Sequence, residues 1–158
     1  MSITLEQFRK NADIHGVCGM SKLWDSCKTK KQLIDLALDI KGIMYISKAM
    51  AEGWGISADE LCKEFGNFLN GKYVHSSGLY TSSMVIPFGN EQFSYLKLNT
   101  TCTMIINYTG YIESIGGNEI HLVNCNCYID GGKYGTRVYT YGKCVIDGLN
   151  FKTIESYE

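Results

Sequence analysis

The chain has 158 residues, 45% of them hydrophobic and 20% charged, which is the composition of a folded protein and the length of one ordinary domain or two small modules sharing a core. A formal net charge of −1 excludes a global basic field for nucleic acid or anionic membrane, and no apolar run approaches the roughly 20 residues of a membrane helix. Residues 1–6 have no basic segment followed by an apolar core, so the expectation is a cytoplasmic protein whose seven cysteines are free, mostly buried thiols.

Residues 1–72 read as a helical module of four or five helices. Three capping boxes mark helix starts: Thr4 with Gln7, Thr29 with Gln32, and Ser57 with Glu60. In each, the hydroxyl caps a backbone amide three residues on, and the Gln or Glu reaches back. The second box opens a helix carrying Leu33, Ile34, Leu36, Ala37 and Ile40. The third opens one carrying Leu61, Phe65, Phe68 and Leu69 at helical spacing. Between them lies Ile43–Glu52, with Gly42 and Gly53 punctuating its ends, and Asn70-Gly71 stops the last helix. Residues 13–28 read as irregular or as containing one short turn around Leu23-Trp24.

After Lys72 the helix formers give way to Tyr, Thr, Ile, Val and Gly, so residues 73–158 read as a β-rich module and the whole chain as α+β. Leu79–Ile86 and Phe93–Leu98 are two predicted strands joined through Pro87–Asn90. Three segments then align at an offset of 17 residues, ending in Ile112-Glu113, Ile129-Asp130 and Ile146-Asp147. The columns are Ile105, Leu122 and Tyr139; Gly110, Cys127 and Cys144; Tyr111, Tyr128 and Val145; and the isoleucines and acids themselves. Matched columns at a fixed period predict either a short β-solenoid-like stack, whose units bury their apolar side against neighbours, or an antiparallel meander of hairpins.

Stacking would bring Glu113, Asp130 and Asp147 together as oxygen ligands, but strand-end acids beside glycine turns are the simpler reading. His15, Cys18 and Cys27 offer one loose pair and a stray, which is not a zinc spacing. No nucleophile elbow, phosphate loop or zinc-protease helix is present, so no catalytic residue, metal ligand or cofactor is assigned and no enzyme is expected. Ile43–Glu52 and Ser57–Leu69 have the layout of a helix-turn-helix, with Lys48 and Lys63 as its phosphate contacts. Asp59 and Glu60 would face phosphates with the wrong sign, so a DNA-binding regulator stands as an alternative. A small-ligand or metal-binding protein is a further alternative, requiring the acid column, or His75 or His121 with a thiol, to line one pocket. The leading expectation is a non-enzymatic protein-binding factor. Its partner-binding candidates are Trp54 and the outward β face carrying Tyr139, Tyr141 and His121, because tyrosine and tryptophan bury area while keeping a polar handle. Open β edges need covering, for which the N-terminal helices at one end and self-association into a homo-oligomer at the other are the candidates; membrane contact is not expected.

Residues 30–73, above all Glu52-Gly53-Trp54-Gly55-Ile56-Ser57 followed by Phe65 and Asn70-Gly71-Lys72-Tyr73, resemble segments of small uncharacterised proteins of bacteriophages and mobile elements. The resemblance implies a phage accessory protein acting on a host or viral partner in the host-cell cytoplasm. Its role would be to inhibit a host defence complex or to serve as a minor virion component. It carries over no catalytic residue.

Overall fold

A computed structural model describes residues 10, 14, 26–29, 32, 40–53, 57–69, 85–87, 94–98 and 102–157. The Thr4–Gln7 box, Trp54, the Asn70-Gly71 stop, His75 and the expected module boundary lie outside the described residues.

Helix α1 spans Ile40–Glu52 and α2 spans Ala58–Leu69. The box that opens α2 is closed from both sides: Ser57 N donates to Glu60 Oε2 and Glu60 N donates to Ser57 Oγ, each at 3.2 Å. The Thr29–Gln32 box closes in the same way, at 3.2 Å in both directions. Gly42 does not mark a helix end. It lies inside α1, where it costs about 1 kcal/mol relative to alanine. The stop is Gly53, whose φ of +71° is the left-handed turn that glycine adopts without strain. Ile46, Ser47 and Ala49 of α1 and Leu61 of α2 are buried, which turns one side of each helix toward the β structure.

Nine strands follow: β1 Val85–Pro87, β2 Ser94–Leu98, β3 Cys102–Ile106, β4 Thr109–Ser114, β5 Glu119–Val123, β6 Asn126–Asp130, β7 Thr136–Tyr141, β8 Val145–Leu149 and β9 Phe151–Tyr157. They alternate between two sheets, β1-β3-β5-β7-β9 (sheet A) and β2-β4-β6-β8 (sheet B). Every strand pair is parallel, which rules out the antiparallel meander. The chain winds as a flattened two-sheeted β-solenoid, one strand per sheet in each coil. The described part is therefore mostly β with two helices.

Side chains inside the coils stack into columns. Leu96, Ile112 and Ile129 form one, Ile105 and Leu122 another, Ile120 and Val138 a third, all fully buried in one cluster. Each such side chain contributes roughly 2 kcal/mol of burial. At one corner Asn107, Asn124 and Gly142 take positive φ (54°, 50° and 73°), and their amides donate to Val123 O, Tyr141 O and Tyr157 O of the next coil at 2.8, 3.0 and 2.7 Å. Asparagine tolerates this conformation better than other side chains, so the stacking ladder continues around the bend.

The constant period holds only in the middle of the stack. Gly110–Cys127, Tyr111–Tyr128, Ile112–Ile129 and Glu113–Asp130 are register partners as the columns require. The third unit slips. Leu122 pairs with Thr140 rather than Tyr139, Ile146 stacks on Cys127, Asp147 on Tyr128 and Gly148 on Ile129. The β6–β7 turn holds five residues against four in the β4–β5 turn, and the β7–β8 corner three against two at β5–β6, so each adds one residue to the offset. Toward the C-terminal coil the interior becomes small and polar (Thr140 Oγ1 donates to Ser156 Oγ at 2.8 Å), and Val145, Leu149 and Ile154 are exposed.

The helices sit on the outside. Helix α1 packs on β3 and α2 on β1. Asn124 ties the start of α2 to the solenoid corner: its Nδ2 donates to Asp59 Oδ1 at 2.7 Å while its Oδ1 accepts from Lys143 N at 2.8 Å. No helix among the described residues is long and apolar enough to cross a membrane.

Candidate functional site

The outward side of sheet A carries a cluster drawn from three adjacent strands. Cys102 of β3 and Glu119 of β5 are register partners. His121, two residues beyond Glu119, shares its face, and Tyr139 of β7 is the register partner of His121. The His121 ring stacks on Tyr139 (centroids 4.8 Å apart, 13° between planes), and Tyr141 stacks on Tyr157 at 5.4 Å. His121 Nδ1 lies 2.8 Å from the Tyr141 hydroxyl, and Nε2 lies 3.5 Å from Glu119 Oε2. The Tyr141 hydroxyl also bonds Ser47, so α1 roofs this side of the cluster. Glu119 accepts further hydrogen bonds from the Cys102 thiol and the Tyr139 hydroxyl.

Burial dominates the electrostatics. It pushes the Cys102 thiol up to about 12, with the Glu119 carboxylate adding to the rise. It lowers the His121 pKa, opposed by Glu119, and raises that of Tyr141. A protonated, buried thiol is a poor nucleophile, so the cluster is not a poised thiol–imidazole pair. Its sulfur, carboxylate oxygen and imidazole nitrogen nevertheless all lie within 4.8 Å of one another, the one such group of potential metal donors among the described residues.

The second arrangement lies on the outward side of sheet B. Tyr95, Tyr111 and Tyr128 are successive register partners. Their rings stack at 5.3 and 5.4 Å with 7° and 14° between planes, and all three are half-buried. Glu113 and Asp130 run alongside as a second column, and Asp147 extends the tyrosine column at its C-terminal end. Carboxylates and ladder are linked, Tyr95 donating to Glu113 and Tyr111 bonding Asp130. Desolvation in the stack, together with Asp130, raises the Tyr111 pKa. The expected three-acid column is thus only two acids long, because Asp147 has slipped beside Tyr128. Asp130 accepts from the turn amide of Gly132 at 3.1 Å, and Asp147 from the amide of the next strand residue, Gly148, at 2.8 Å.

Sequence reasoning placed His121, Tyr139 and Tyr141 on one outward face, and they do share it. Only Tyr139 is partly open, however, since His121 and Tyr141 are 7% and 3% exposed beneath their neighbours. Lys48 and Lys63 are exposed on α1 and α2. The first turn of α2, which would enter a DNA groove, is engaged with Asn124 instead. Cys125 and Cys127 are interior packing atoms, and Cys144 Sγ accepts from Cys125 N at 3.4 Å. Cys102 and Glu119 were missed, although they stand one 17-residue period apart and that column, once drawn, leads to His121. Comparison of the chain with family models, with curated proteins and with solved structures returned no match.

Proposed function

We propose that the protein is a non-enzymatic protein-binding accessory factor, and that it meets its partner through the outward face of sheet B. The observation that carries this reading is the Tyr95–Tyr111–Tyr128 ladder, a flat, half-exposed row of stacked rings held at fixed spacing by the strands beneath it. Such a row offers contact area whose ordering cost is already met in the free protein. The stacked rings turn their faces to one another and present edges and hydroxyls outward, and Glu113, Asp130 and Asp147 beside them outnumber Lys97, the register partner of Glu113. The matching partner surface presents arginine or lysine to these carboxylates. The resemblance of residues 30–73 to phage and mobile-element segments favours a host or viral protein as that partner, with inhibition of a defence complex or a minor place in the virion as the role.

The test is capture of partners from host lysate on the immobilised full chain, compared with Tyr111→Ala and Glu113→Lys, each first checked for native circular dichroism. A specific partner should be retained by the wild type, released by raised salt, and lost from both variants. Equal retention by wild type and variants would refute this face as the contact.

A further inference from the structure

We propose that Cys102, Glu119 and His121 form a binding site for a divalent ion of the zinc class, on the sheet opposite the tyrosine ladder and independent of it. The three donors differ in type, one sulfur, one carboxylate oxygen and one imidazole nitrogen. A mixed set containing thiolate and imidazole favours zinc over calcium or magnesium, which take oxygen ligands. A tetrahedral ion bound at about 2.0–2.3 Å spaces its donors about 3.5 Å apart. The three donor atoms already lie within 4.8 Å of one another, so small side-chain rotations close the set while the strands stay in register.

The surroundings also fit. Tyr141 occupies His121 Nδ1 at 2.8 Å, which leaves Nε2, the nitrogen facing Glu119 at 3.5 Å, as the one free to ligate. A ligating histidine characteristically has its other nitrogen held in this way. Tyr141 is in turn tied to Ser47 on α1, and Tyr139 bonds the Glu119 carboxylate, so two of the three ligands carry an outer partner. Cys102 and His121 are 6% and 7% exposed on an outward sheet face where the adjoining positions Met104, Ile106 and Val123 are apolar. Three protein ligands leave a fourth position for water or a further donor. Of the five other described thiols, Cys125, Cys127 and Cys144 lie in and around the solenoid core, Cys62 stands on α2 beside Asn124, and Cys27 is buried.

The experiment is a titration of the chelator-treated full chain with cobalt(II), followed by displacement with zinc(II). The wild type is expected to bind one equivalent, giving a sulfur-to-cobalt charge-transfer band and the visible bands of a tetrahedral centre, both removed by zinc. Cys102→Ser should lose the charge-transfer band. Glu119→Gln, a change at a partly exposed position, should fold normally and weaken binding by more than ~100-fold, and Tyr141→Phe by ~10-fold. Absence of a charge-transfer band in folded wild type, its persistence in folded Cys102→Ser, or unchanged affinity in Glu119→Gln would overturn the proposal.

Discussion

Replacing Gly148 by alanine probes the stacking that holds the last coil in place. Gly148 has φ +142° and pairs with Ile129 across the β6–β8 ladder. A Cβ built there would lie 1.9 Å from Ile129 O and 2.8 Å from Ile129 C and N. All three are backbone atoms, so no change of rotamer relieves the contact; β8 must instead move away from β6 by about 1.5 Å to reach ordinary contact distance. That displacement breaks most of the ladder between Asn126–Val145 and Asp130–Leu149. At about 1 kcal/mol per hydrogen bond, plus about 1–3 kcal/mol of backbone strain, the expected cost is about 4 kcal/mol or more. Gly117→Ala is the matched control, because Gly117 has φ +73° and nothing within 4 Å of the added atom, so only a backbone cost of about 1–2 kcal/mol applies. Urea unfolding gives the two stabilities, and native-state hydrogen exchange locates the damage. Because coils interact chiefly with their neighbours, amides of β8 and β9 and the β6 amides that face β8 should lose protection while those of β3–β5 keep theirs. Stabilities of the two variants within about 0.5 kcal/mol of each other would refute the argument from close backbone approach.

Asn124→Ala should cost about 2–3 kcal/mol and speed amide exchange in α2, because it removes the bonds to Asp59 and Lys143 and puts alanine at φ +50°. Chemical denaturation with exchange mass spectrometry reads both effects. His121 gives a pH signature: burial lowers its pKa in the folded state, so the unfolded chain takes up the proton first. Its contribution is complete above about pH 6.5 and is lost as the pH falls from there toward the lower folded-state value. Stability measured with chelator present should fall more steeply between about pH 7 and 5 in the wild type than in His121→Gln.

Local and central features of this fold were legible in the sequence. The Thr29–Gln32 and Ser57–Glu60 boxes depend on residues three apart, and both close as read. The Tyr111–Tyr128, Ile112–Ile129 and Glu113–Asp130 columns follow from one period applied where successive corners have equal length. The third unit was misaligned because a fixed period carries no information about corners. Gly131-Gly132-Lys133-Tyr134-Gly135 and Gly142-Lys143-Cys144 each hold one residue more than their counterparts in the coil before, and a single added residue moves every later partner. Burial of His121 and Tyr141 was not legible, because α1 covers them from outside the repeat and the Ser47 contact joins residues far apart in the chain. Cys102 and Glu119 look like unrelated polar positions until two neighbouring strands are set in register.

The winding also governs how quickly such a chain can assemble. Parallel sheets ordinarily require distant segments to meet, which slows folding. Here each strand pairs with one about a tenth of the chain length away, so closing each new coil costs the entropy of a short loop. The central coils, with Ile112, Leu122 and Ile129 already in facing columns, are the natural nucleus, and later strands add one at a time onto a template already formed. Growth toward the C-terminus adds progressively less apolar burial, since Ile129 is followed by Gly148 and Leu122 by Thr140 and then Ser156. Among the described coils, β8 and β9 are therefore expected to exchange between docked and frayed states faster than β3–β6, which native-state hydrogen exchange would read directly.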